Sequence, residues 1–118
     1  MKVLVIDDDP GIVTLLLDWL KAKGHEPEGL TRGTYITSWL QSRQFDLVLT
    51  DIQMPDSDGL LMISDIVKAG AKVVVMSGMF EDLWVAKALV QGAYDCLPKP
   101  VSFEKLELIL GRLEPTHS

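Results

Sequence analysis

Short apolar runs alternate along this chain with longer stretches in which apolar residues recur every three or four positions. Residues 3–6 (Val-Leu-Val-Ile), 47–49 (Leu-Val-Leu) and 73–76 (Val-Val-Val-Met) are dominated by branched side chains and carry no polar alternation. Such runs predict strands buried on both faces. Between them the period changes. Asp9-Pro10 has the form of an N-cap followed by proline at the first helical position. Ile12, Leu15, Leu16, Trp19 and Leu20 then follow at helical spacing until Gly24. Further helices are predicted over 34–42, 59–69, 80–91 and 102–113, the last capped by Ser102.

Two strands need separate argument. Residues 25–29 are polar and contain Pro27. Proline has no N–H to give a central ladder, so this segment is predicted as an edge strand. Residues 93–97 make a short fifth strand. Five strands alternating with five helices predict a parallel sheet with helices on both faces, doubly wound because the crossovers are right-handed.

The chain has 118 residues, the size of one domain, so 1–118 is expected to be a single unit. It is 47% hydrophobic, which supports a real core. Seventeen acidic against eleven basic residues leave a net charge of −6. This balance disfavours direct binding to nucleic acid or to an anionic membrane. The single cysteine, Cys96, excludes an internal disulfide and a cysteine-based zinc site. The apolar run at residues 3–6 is too short for a signal peptide or a membrane span. A small soluble cytoplasmic domain is the expectation.

In open parallel sheets, function gathers beyond the carboxyl ends of the strands. The first strand is followed by Asp7 and Asp8, the third by Asp51, the fourth by Ser77 and the fifth by Lys99-Pro100. Three carboxylates brought together need a compensating cation. Their hard oxygens, with no Cys or His beside them, select Mg²⁺ or Mn²⁺. A carboxylate there can act as a nucleophile toward phosphorus, and a metal, a lysine and a hydroxyl can neutralise and align a transferring phosphoryl group.

Four stretches in order carry a family resemblance. They are Val-Ile-Asp-Asp-Asp (5–9), Leu-Thr-Asp-Ile-Gln-Met-Pro-Asp-Ser-Asp-Gly (49–59), Val-Met-Ser-Gly (75–78) and Gly-Ala-Tyr-Asp-Cys-Leu-Pro-Lys-Pro (92–100). The chain resembles the receiver domain of two-component response regulators over essentially its whole length, with a likeness to the nitrogen-regulator class. The resemblance implies a flavodoxin-like sheet of strand order 2-1-3-4-5. It implies Asp51 as phospho-acceptor, with Mg²⁺ on the side chains of Asp8 and Asp51 and on the backbone carbonyl of Gln53. Asp7 would complete the acidic pocket, Lys99 would pair with the phosphoryl group, and Ser77 would swing toward it. The bond before Pro100 would be cis. A sensor histidine kinase or a phosphotransfer protein would supply the phosphoryl group. The domain would assist its own phosphorylation and dephosphorylation without being a turnover enzyme. A homodimer or output partner would dock on the face of the fourth helix, fifth strand and fifth helix.

Two positions depart from the family pattern. Cys96 stands where an aromatic usually completes the switch, while Tyr94, two residues earlier, is expected on the same face of the strand. The rotation at Cys96 is therefore expected to be small. Met79 stands two residues after Ser77, where its apolar bulk is expected to hinder hydrolysis relative to Met79→Glu. The other residues have plain readings: Asp9 as helix cap, Asp56 and Asp58 as turn residues, Met62 and Met76 as core, His25 and His117 as exposed. The apolar fourth helix leaves Trp84 either buried or part of a partner patch.

Two rivals share parts of the pattern. Asp7-x-Asp9 is similar to the nucleophile motif of haloacid dehalogenase-type phosphohydrolases, although Pro10 departs from it and 118 residues leave no room for a cap domain. A flavin-binding electron carrier of the same architecture would need a phosphate loop after the first strand. The acidic run 7–9 opposes one.

Overall fold

A computed structural model describes residues 1–33, 36–52, 59–78 and 81–114, with 59 and 60 by backbone alone. Five parallel strands form one sheet in the order β2-β1-β3-β4-β5. They are β1 (Lys2–Ile6), β2 (Glu26–Leu30), β3 (Leu47–Asp51), β4 (Lys72–Ser77) and β5 (Asp95–Pro98). The helices alternate with them: α1 (Pro10–Ala22), α2 (Ile36–Ser42), α3 (Gly59–Lys68), α4 (Asp82–Val90) and α5 (Phe103–Leu113). The doubly wound, flavodoxin-like expectation holds, strand order included.

Strand periodicity divides the core in two. Leu4, Ile6, Val48, Val73 and Val75 face one cluster with Ile36, Met62, Ile63, Ile66 and Ala88, beneath α2, α3 and α4. Val3, Val5, Leu47, Leu49, Val74, Met76 and Leu97 face the other, closed by α1 and α5 through Val13, Leu16, Leu20, Leu106, Ile109 and Leu110. Runs without polar alternation were needed because both faces are covered. Trp19 bridges the second layer, its ring centroid 5.1 Å from that of Phe103.

The element boundaries follow local chemistry. Asp9 Oδ1 accepts from the Gly11 N–H at 2.9 Å and caps α1, with Pro10 at its first position. Gly24, at φ 87°, ends that helix in the left-handed region that glycine adopts without strain. Ser102 Oγ accepts from the Lys105 N–H at 3.2 Å and caps α5. β2 is the edge strand that Pro27 demands. It lies close to α1: a Cβ on Gly29 would stand 2.6 Å from Val13 Cγ1.

Several local expectations are corrected. Leu15 is 56% exposed and Val13 is buried in its place, because α1 buries a stripe through Val13, Leu16 and Leu20. β5 begins at Asp95 rather than 93, so Tyr94 precedes the strand and lies exposed instead of sharing its face with Cys96. α4 starts at Asp82, with non-helical Glu81 before it. The expected starts of α2 at Thr34 and of α4 at Phe80 lie outside the described residues. So do Met79, Asp56, Asp58 and His117. Among the described residues no helix is long and apolar enough to cross a membrane.

Candidate functional site

The strand ends assemble one acidic site. Asp7 follows β1 directly and is fully buried, while Asp8 beside it is exposed. Asp51 is the last residue of β3 and Ser77 the last of β4, each 7% exposed. The ladder pairs Asp51 with Met76, which sets Ser77 one residue further along the neighbouring strand. Lys99 follows β5, and the Lys99–Pro100 bond is cis, as the resemblance implied.

Backbone contacts hold these positions in place. The Ile52 N–H donates to the Met76 carbonyl at 3.0 Å, and the Lys99 N–H donates to the Ser77 carbonyl at 2.6 Å. The Thr50 hydroxyl, buried within β3, donates to the Asp51 carbonyl at 3.1 Å. The Asp9 N–H donates to Asp7 Oδ1 at 2.9 Å and orients that carboxylate.

Lys99 is the cation of the site. Its Nζ lies 2.8 Å from Asp7 Oδ2 and 3.3 Å from Asp51 Oδ2. Burial alone lowers a lysine pKa. Here the hydrogen bond to Asp7 and the charges of Asp51 and Asp7 outweigh that effect and hold Lys99 above its usual 10.5. The ammonium is thus fully charged at neutral pH.

One ammonium does not balance three carboxylates. Carboxylate oxygens of Asp7, Asp8 and Asp51 all lie within 4.8 Å of one another. Asp7 Oδ2 is buried and, ion pair aside, accepts no directed hydrogen bond among the described residues. An all-oxygen donor set with surplus negative charge can hold a hard divalent cation. The structure therefore brings Asp7, Asp8, Asp51, Ser77 and Lys99 to one sheet edge. Gln53 lies outside the described residues.

Cys96 sits apart from this cluster. It is half-buried, packs with Val85 against the core layer under α4, and donates its N–H to Asp95 Oδ1 at 2.8 Å. His25 is not exposed as expected: its side chain is 7% accessible, between the Met1 amine and Glu114. The sequence reading also missed Glu81. Its carboxylate reaches back three residues to the Gly78 N–H, a spacing at which glutamate often satisfies a free backbone donor.

The geometry opposes one rival directly. A nucleophilic Asp7 would need access, yet it is fully buried and ion-paired, and Asp9 is committed to capping α1.

Comparison with known proteins identifies the family. Residues 3–110 match the family described as the response regulator receiver domain, and the chain belongs to that family. It is 36% identical over 93% of its length to the DNA-binding transcriptional regulator NtrC of Rhizobium meliloti. It is 34% identical over 93% of its length to NtrC of Azospirillum brasilense. The chain spans only 23% of the length of each of these curated relatives. Among solved structures, the receiver domain of NtrX from Brucella abortus superposes with a TM-score of 0.86 at 30% identity, covering 94% of this chain and 96% of that one. A two-component response regulator from Clostridium difficile gives a TM-score of 0.89 at 26% identity, covering 96% and 94%. The chain is thus a phospho-receiver of two-component signalling, of the nitrogen-regulator-like class. Receivers of this family are signalling modules rather than turnover enzymes, and they work with kinases and output domains.

Proposed function

We propose that Asp51 is the phospho-acceptor. The observation that carries this reading is the Lys99 ammonium 3.3 Å from Asp51 Oδ2, beside two further carboxylates at the same sheet edge. An oxygen of Asp51 attacks the phosphorus of a phosphohistidine, on a sensor kinase or a phosphotransfer protein. The P–N bond breaks, its electron pair leaves on the imidazole, which takes up a proton, and a new P–O bond completes the acyl phosphate. Lys99 moves from the carboxylates to the phosphoryl oxygens, and Ser77 turns its hydroxyl toward them.

Asp8 and Asp51, with Asp7 and the carbonyl of Gln53, would hold Mg²⁺ or Mn²⁺, which neutralises the carboxylates and the transferring oxygens when bound. Water attack on the same phosphorus returns Asp51, so the domain assists both its own phosphorylation and its own dephosphorylation. Cys96, with no ring to swing, contributes a small rotation to the switch beneath α4. Leu83, Trp84 and Leu89 on α4, Tyr94 before β5 and Leu108 on α5 are exposed apolar groups. This face is the docking surface for a second copy or an output partner. The work is cytoplasmic, without contact to nucleic acid or membrane by this domain.

Intact-mass spectrometry after acetyl phosphate and Mg²⁺ tests the reading. One phosphoryl group, labile to base and absent from Asp51→Asn, is expected. Unchanged uptake by Asp51→Asn would overturn it. Turnover of a phosphomonoester would favour a phosphohydrolase instead.

A further inference from the structure

Four polar or charged residues are buried among the described residues. Asp7, Asp51 and Ser77 belong to the acidic site; the fourth is Thr50, 1% exposed and directly before Asp51. Thr50 shares a face of its strand with Val48 before it and Ile52 after it, which pack into the apolar layer under α2, α3 and α4. Its ladder neighbours, Ile6 on β1 and Val75 on β4, are fully buried. A hydroxyl in such a layer costs free energy unless it is hydrogen-bonded, and valine has nearly the same shape without that cost. The Thr50 hydroxyl gives its proton to the Asp51 carbonyl, at 3.1 Å.

That carbonyl stands where the sheet loosens its hold. The β1–β3 ladder runs only as far as Ile6 and Thr50, so Asp51 keeps its register on the β4 side alone, opposite Met76. The peptide after Asp51 is held from both ends. Its N–H, that of Ile52, donates to the Met76 carbonyl at 3.0 Å, and its C=O accepts from Thr50. Each residue has only two soft backbone dihedrals, so fixing this peptide plane fixes ψ of Asp51 and the direction of its Cα–Cβ bond. The carboxylate so aimed lies 3.3 Å from Lys99 Nζ.

We propose that the Thr50 hydroxyl positions the nucleophile for phosphoryl transfer. It holds the Asp51 carbonyl, and through the backbone it keeps the carboxylate in line with an incoming phosphorus. Thr50 touches neither the phosphoryl group nor a metal, so it is a positioning residue. Alignment supplies much of the rate in this chemistry, and small misplacements of a reacting group are costly. The inference rests on Asp51 being the phospho-acceptor.

The test measures phosphoryl uptake from acetyl phosphate with saturating Mg²⁺, by intact-mass spectrometry, in the whole chain, Thr50→Val, Thr50→Ser, Thr50→Ala and Asp51→Asn, alongside thermal unfolding. Thr50→Val and Thr50→Ala lack the hydroxyl, and their limiting rates should fall about tenfold, with the half-saturating acetyl phosphate concentration unchanged. Thr50→Ser keeps the hydroxyl and should recover most of the rate. Stability should divide the variants differently: Thr50→Ser and Thr50→Ala each leave a methyl-sized gap and should melt below Thr50→Val. A merely structural role would tie rate to stability and put Thr50→Ser beside Thr50→Ala. Uptake by Thr50→Val at the wild-type rate, or by Thr50→Ser as slowly as by Thr50→Ala, overturns the role of Thr50 alone. If wild type takes up no phosphoryl group, or Asp51→Asn takes it up equally, the receiver assignment of Asp51 falls and the role of Thr50 with it.

Discussion

Replacing Asp51 by Asn removes one of three carboxylates whose oxygens lie within 4.8 Å of one another. At an effective dielectric constant near 20, two unit charges at that separation repel by about 3.5 kcal/mol. Asp51 has two such neighbours, Asp7 and Asp8. Against them, Lys99 at 3.3 Å returns about 5 kcal/mol. Solvent at the exposed Asp8 screens part of the repulsion, whereas the cost of burying the Asp51 charge adds to it. The net expectation is that Asp51→Asn unfolds about 1–2 kcal/mol less readily than wild type in metal-free, low-salt buffer. The assay is urea unfolding followed by circular dichroism, in EDTA and again with Mg²⁺. A cation at one hundred times its dissociation constant stabilises the binding-competent fold by about 2.7 kcal/mol. Wild type should gain that increment and Asp51→Asn most of it should lose, so Mg²⁺ reverses the order of the two proteins. A destabilised Asp51→Asn in EDTA, or an equal response of both proteins to Mg²⁺, would refute the reasoning. Either result would mean that Asp51 is an ordinary satisfied polar group of the core.

Three further outcomes follow from the contacts. Lys99 has a raised pKa in the folded state, so its stabilising contribution is complete below 10.5 and is lost as pH rises through the folded value. Alkaline urea titrations should show this loss in wild type and not in Lys99→Met. His25 behaves oppositely: burial first, then the Met1 amine, hold its pKa below 6.5, and the Glu114 carboxylate only partly offsets them. The unfolded chain then binds the extra proton, so stability should fall as pH drops below 6.5, and His25→Gln should lose less over that window by the same unfolding assay. Gly29→Ala forces a methyl to within 2.6 Å of Val13 Cγ1 and should cost about 1–3 kcal/mol, read as a lower urea midpoint.

Much of this architecture was legible because a parallel sheet imposes strong patterns. Val3 to Ile6 had to be apolar throughout, since alternate residues serve opposite core layers. Pro27 could occupy only an edge, and Asp9-Pro10 could hardly be other than a helix start. The site was legible for a topological reason: each of its groups ends a strand, and parallel strands all end on one side.

What escaped depends on packing that periodicity does not encode. Leu15 lies one residue from Leu16 but about 100° around the helix, outside the stripe that meets the sheet. His25 is enclosed by the Met1 amine and by Glu114, residues far apart in sequence. Tyr94 failed to join Cys96 on β5 because the ladder begins only at Asp95. Glu81 was missed because its side chain turns back to the Gly78 N–H, a contact that no repeating pattern encodes.

The most direct test of the central claim is a crystal structure of the chain with Mg²⁺ and beryllofluoride. The account predicts beryllium bonded to an Asp51 carboxylate oxygen, Mg²⁺ in contact with Asp8 and Asp51, and Lys99 and Ser77 both turned onto the fluorides. An adduct on any other residue, or one at Asp51 with Lys99 still paired to Asp7 and no metal beside it, would contradict it.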